Sequence, residues 1–116
     1  MELNKLKLDK FHNIRFVNFP REMLLGHEST EKNAEVIIYY INSPEDVNTF
    51  VDLCNSSNLP KDNRTIMIYK KGRKDGVNRD SIFMPFKENK HKGFILKAPM
   101  LCSISNELSA CVLSKQ

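Results

Sequence analysis

A mostly parallel α/β sheet with a C-terminal antiparallel hairpin is the fold this sequence predicts, on three observations. The first is the run AEVIIYYI at residues 34–41. An unbroken β-branched and aromatic stretch suits a strand covered on both faces, the pattern of parallel sheets. The second is Ser43-Pro44-Glu45-Asp46, followed by Val47, Phe50, Val51 and Cys54. Ser43 suits the cap, Pro44 the first helical position, and the two carboxylates the positive helix end. The four apolar residues recur at i, i+3, i+4 and i+7, a single helical stripe. The third is Thr65-Ile66-Met67-Ile68-Tyr69, a strand placed to complete a β-α-β unit. Crossovers of that kind are right-handed in ~98% of cases.

The remaining elements follow in order. Lys5, Lys7 and Lys10 alternate with Leu3, Leu6 and Leu8 in a weakly amphipathic segment expected to dock on the sheet. Arg15 to Phe19 reads as a strand ended by Pro20, and Glu22 to Leu25 as one helical turn closed by Gly26. The segment GHESTEKN at 26–33 is the most polar and is expected to be a mobile loop. Asn55 to Asn58 and Pro60 end the helix that began at Ser43. A second helix is expected from Asn78, with Asp80 in its first turn, Val77 and Ile82 spaced as a staple, and Pro85 cutting it short or kinking it. GFILKAPMLCSI and ELSACVLS then read as two antiparallel strands around a turn near Asn106-Glu107.

A chain of 116 residues fits one domain, 1–116, near the common size of ~100–150 residues. At 41% hydrophobic and 28% charged residues it can bury an ordinary core and is not a disordered composition. The longest apolar run, Val36 to Ile41, is far short of the ~20 residues that span a bilayer, so no membrane role is expected. The opening MELNKLKLDK lacks an apolar stretch of signal-peptide length, and a cytoplasmic protein is expected. Cys54, Cys102 and Cys111 form no CxxC pair, which argues against a disulfide framework or a zinc site. Cys54 falls on the apolar helix face. Cys102 and Cys111 fall on neighbouring strands, where they could approach one another, and a reducing compartment would keep them as thiols.

Catalytic signatures are missing. A cofactor-binding sheet of this kind needs a glycine-rich turn after its first strand, so that a ligand can reach the helix N-terminus. Here that strand runs into FPREMLLG, and the chain has only Gly26, Gly72, Gly76 and Gly93. No cofactor is therefore expected. His12, His27 and His91 are scattered, and Ser29, Ser81 and Ser103 lack a nucleophile-elbow context. Glu45 and Asp46 are explained as helix-start charges.

Three short motifs resemble a group of small uncharacterised bacterial proteins with a Rossmann-like, methyltransferase-like sheet. They are IMIYKKG at 66–72, Asn78-Arg79-Asp80, and Ser105-Asn106-Glu107-Leu108-Ser109-Ala110. The likeness runs in order and spacing from about residue 10 to 114. Lys70 stands where that group tends to have Pro, and Leu108 where it tends to have Trp. The resemblance implies a single small three-layer Rossmann-like domain and carries no established activity.

Charge supplies the one site-like feature. Residues 1–21 carry five basic and two acidic groups, residues 22–62 two and eight, and residues 63–116 eleven and four. Within the last region, YKKGRKDGVNRD holds Lys70, Lys71, Arg73, Lys74 and Arg79 beyond a strand end, where ligands of open α/β sheets bind. These five residues are the candidate anion-binding set. The spacing is not that of a phosphate-binding Walker loop, and no nucleic-acid motif accompanies it. The sequence thus predicts a non-enzymatic domain that binds a protein partner or itself. Anion or nucleic-acid binding through loop 70–79 is the alternative, and a degenerate methyltransferase-like small-molecule binder is a further one.

Overall fold

A computed structural model describes residues 8, 11–24, 29–30, 33–56, 59, 63–71 and 94–115, with the backbone alone for 94–102, 114 and 115. The elements are β1 (Ile14–Val17), a 3-10 turn (Arg21–Leu24), β2 (Val36–Ile41), α1 (Pro44–Ser56), β3 (Arg64–Lys70), β4 (Phe94–Ser103) and β5 (Leu108–Lys115). They build one five-stranded sheet in the order β1-β2-β3-β5-β4. β1, β2 and β3 pair in parallel, whereas β5 is antiparallel to both β3 and β4. The fold is therefore α/β, with four strands pointing one way and β5 alone opposed.

The β-α-β unit forms as its pattern predicts. All six residues of β2 are buried, because it lies between two strands and is covered on both faces. The buried residues of α1 are Val47, Phe50, Val51 and Cys54, the stripe read from the sequence. The α1 face of the sheet contributes Ile37, Tyr39, Ile41, Met67, Tyr69, Cys111 and Leu113. Phe50 has no exposed surface and stacks edge-on to Tyr39 at 6.1 Å. Truncating such a ring costs about 3–5 kcal/mol. On the opposite face Val36, Ile38, Tyr40, Ile66, Ile68, Ala110 and Val112 meet Leu8 and Phe11. Phe16, Phe19 and Met23 pack against that cluster. Leu8 thus docks on the sheet as its amphipathic pattern suggests.

The amino ends of the parallel strands are stitched by Glu35. Its Oε1 accepts the N–H groups of His12 at 3.0 Å and Asn13 at 3.2 Å. Its backbone N–H donates to Asn13 O, and its carbonyl accepts from Arg64 N. The Arg64 guanidinium lies 5.5 Å from the Phe11 ring centre, a cation–π contact.

Several expectations change. The first strand ends at Val17, not Phe19, because Asn18 takes a positive φ of 65° that no strand can continue. Within the segment read as a mobile loop, Ser29 and Thr30 are bonded to β1: Phe16 N–H donates to Ser29 Oγ, and Thr30 N–H to Ile14 O. Cys102 sits opposite Ala110, and Cys111 opposite Leu101. Residues one step out of register belong to opposite faces of a sheet, so the two cysteines are neighbours in strand but not in face. Cys111 is a free, buried thiol. The second helix expected from Asn78 lies outside the described residues.

The hairpin enters the sheet by β5, which leaves β4 at the edge. β4 shows a register shift between Ile95 and Met100, a stretch that contains Lys97 and Pro99. Proline cannot donate to a ladder, and lysine discourages further pairing, so both mark edge strands. Among the described residues, no helix is long and apolar enough to cross a membrane.

Candidate functional site

The carboxyl ends of the parallel strands are where an open α/β sheet binds ligands. Two neighbouring places at this end differ sharply.

The first is the gap between β1 and β2, beside the N-terminus of α1. Asn18 occupies the left-handed region, which glycine normally supplies and asparagine tolerates. Its Nδ2 donates to Tyr40 O at 2.9 Å and to Asp46 Oδ2 at 3.3 Å. The same Asp46 oxygen accepts the N–H groups of Asn42 at 2.8 Å and Ser43 at 3.1 Å. Ser43 is the cap position, so Asp46 reaches back from the third helical residue, one half of a capping box. A helix N-terminus attracts an anion through its free N–H groups and its dipole. In this chain the Asp46 carboxylate lies at that end, engaged by the N–H groups of Asn42 and Ser43 just before the helix.

The second place is a cleft of about 480 Å³ on the face opposite α1, within the ~300–1,000 Å³ range of small-ligand sites. The 3-10 turn and its approach contribute Pro20, Glu22 and Met23. The ends of β2 and β3 contribute Tyr40 and Lys70, and the β4–β5 turn contributes Ile104, Ser105, Glu107 and Leu108. The apolar floor continues into stacked aromatics, with Phe19 5.5 Å from Tyr40 and 5.8 Å from Phe16. That turn is held by Ser105, whose Oγ accepts from Glu107 N–H at 3.2 Å and Leu108 N–H at 3.1 Å. Short hydroxyl side chains commonly order turns in this way.

Of the candidate basic set, the structure describes Lys70 and Lys71, and these two part company. Lys70 lines the cleft. The Lys71 ammonium instead donates to Ser103 Oγ and to Ser105 O, the latter at 2.8 Å, and its backbone N–H donates to Glu107 O at 2.8 Å. Lys71 therefore clamps the end of β3 to the hairpin turn. Arg73, Lys74 and Arg79 lie outside the described residues. Among the described residues no group of three or more His, Cys, Asp and Glu side chains could hold a metal.

Sequence reasoning passed over Asn18, Asp46 as a shared acceptor, and Tyr40 as a cleft residue. Asn18 had a signal of its own: an asparagine at a strand end before an apolar–proline pair is a left-handed turn candidate. No family model, no curated protein and no solved structure matches the chain.

Proposed function

We propose that this chain is a non-enzymatic binding domain that takes a protein or peptide partner in the cleft at the carboxyl ends of β2 and β3. One observation carries this reading. Glu22, Tyr40, Lys70 and Glu107 line the cleft together, and among the described residues their side chains are not tied to one another by a hydrogen bond or ion pair. Next to it, the gap a nucleotide would use is filled by Asn18 and Asp46. Binding capacity has moved from the cofactor seat to the cleft beside it.

The same reading takes the scaffold as a reduced, three-layer Rossmann-like domain, related to the uncharacterised bacterial group and working in the cytoplasm. Support comes from the β2-α1-β3 unit and from apolar clusters on both sheet faces. Polyanion binding through loop 70–79 ranks below it, because Lys71 is engaged by the hairpin and Glu22 and Glu107 line the cleft with Lys70. A methyltransferase-like binder ranks lower still, because its donor would need the space Asn18 occupies. Self-association remains a form of the same function, with a second copy as the partner.

The test is an NMR titration of the full chain against three probes: a pooled short-peptide library, a mixed oligonucleotide, and a mixture of dinucleotide and sulfonium cofactors. Peptide-induced shifts at Tyr40, Lys70 and Leu108 are the expected result. Saturable shifts at Asn18 and Asp46 with the cofactor mixture, or oligonucleotide binding that leaves the cleft unshifted, would overturn it.

A further inference from the structure

The chemistry lining the cleft narrows its occupant, granted the binding reading above. Glu22 and Glu107 bring two carboxylates, and Lys70 one ammonium, to the same space. All three are exposed, and none forms an ion pair with another of the three. Together they put a negative and a positive pole on one cleft, over a floor that includes Met23 and Leu108.

Tyr40 adds an independent observation. It is 5% exposed, its ring rests on Phe19, and it lines the cleft. A buried tyrosine hydroxyl ordinarily finds a partner. Because Tyr40 lines the cleft, an occupant there can supply one.

We infer that the occupant is a short peptide with both ends free and apolar side chains. Its ammonium faces Glu22, its carboxylate meets Lys70, and a backbone group bonds the Tyr40 hydroxyl. Size favours a peptide over a single amino acid. Glu22 and Lys70 come from different elements lining a cleft of about 480 Å³, room for more than one residue of an extended chain at ~3.3–3.6 Å each. Glu107, one strand beyond Lys70, disfavours a longer C-terminal extension that is acidic.

The experiment uses calorimetry and NMR on the full chain with the tripeptide Leu-Ala-Leu, its N-acetylated form, its C-amidated form and free leucine. The free tripeptide is expected to shift Tyr40, Lys70 and Leu108, and each blocked form and free leucine to bind roughly tenfold more weakly. In Lys70→Gln the penalty for amidation disappears while that for acetylation stays. In Glu22→Gln the pattern reverses. Tyr40→Phe weakens binding about fivefold, the loss of one hydrogen bond of ~1 kcal/mol, with an unchanged far-UV spectrum and melting temperature as the folding control. Equal affinity for free and blocked peptides, or free leucine binding as well as the tripeptide, overturns the assignment. If library peptides shift the cleft without any preference for free ends, this inference falls and the binding-domain reading stands. If nothing shifts the cleft, both fall.

Discussion

The two neighbouring places at the carboxyl end of this sheet use similar residue types to opposite ends. Between β1 and β2 an amide and a carboxylate satisfy one another and the adjacent backbone: Asn18 spans to Tyr40 O and Asp46, and Asp46 holds Asn42 and Ser43. Over β2 and β3 two carboxylates, an ammonium and a phenol stand in one cleft without satisfying one another. Internal pairing of polar groups stabilises a fold, whereas unpaired polar groups at a concave surface are what a ligand can recognise. Under the proposed function, the difference separates a structural site from a binding site on one sheet end. It also sets where substitutions should register: in stability on the closed side, in binding on the open side.

The largest effect is expected at Asn18. Replacing it with Ala leaves at φ 65° a residue without the polar side chain that offsets the left-handed strain of roughly 1–2 kcal/mol, and removes the donor to Tyr40 O and Asp46. The total should be about 2–3 kcal/mol, a fall in melting temperature on the order of 10 °C. Asn18→Gly should recover the conformational part alone. Equal destabilisation by Ala and Gly in urea titrations would mean that hydrogen bonds dominate and the left-handed turn carries little cost.

Alkali provides a second probe of the closed part of the molecule. Burial pushes the Cys111 thiol from 9.0 up to about 12. Burial, then the Asp46 charge, raises Tyr39, against a bond from Thr49 that lowers it. Both groups are neutral when protonated, so the folded state holds protons that the unfolded chain releases. Their stabilisation is complete below about pH 9 and is lost as pH climbs toward the folded values. Urea unfolding at pH 10.5 should give a stability about 2 kcal/mol below that at pH 8 from Cys111 alone, and Cys111→Ala should flatten that slope. The same burial predicts that Cys111 and Cys54 resist alkylation until the chain is unfolded.

A third expectation concerns the helix cap. Asp46→Ala removes an acceptor shared by two backbone N–H groups and Asn18 and should cost about 1–2 kcal/mol. A double-mutant cycle with Asn18→Gly should show coupling of roughly 0.5 kcal/mol or more. Strict additivity would separate the cap from the turn and break the picture of one sealed gap.

Legibility in the sequence followed the range of the interaction. α1 was readable to the residue, because Val47, Phe50, Val51 and Cys54 report a local period of 3.6. β2 was equally plain from six successive apolar residues. The place of β5 between β3 and β4 was not read, since strand order is decided by contacts across the chain. Ala110-Cys111-Val112-Leu113, buried throughout, carries the doubly covered pattern of an inner strand, while Lys97 and Pro99 mark β4 as an edge. The basic loop drew attention through charge density alone. Charge density cannot reveal that Lys71 bonds the hairpin turn, nor that Lys70 shares a cleft with Glu22 and Glu107, because those neighbours are more than thirty positions away in Lys71's case and on different elements in both.

The smallest expected effect is the most discriminating one. Lys70, Glu22 and Glu107 are exposed, and neutralising any of them removes no bond among the described residues. Surface changes of that kind stay within about 0.5 kcal/mol. Lys70→Gln and Glu22→Gln should therefore melt with the native protein, whereas Lys71→Gln should lose the bonds to Ser103 Oγ and Ser105 O and melt lower by a few degrees. Adjacent lysines with unequal consequences would follow from one being spent on the fold and the other left over for a ligand. A Lys70→Gln variant that destabilises as much as Lys71→Gln would place Lys70 among the structural groups, and the open side would then differ from the closed one in shape alone.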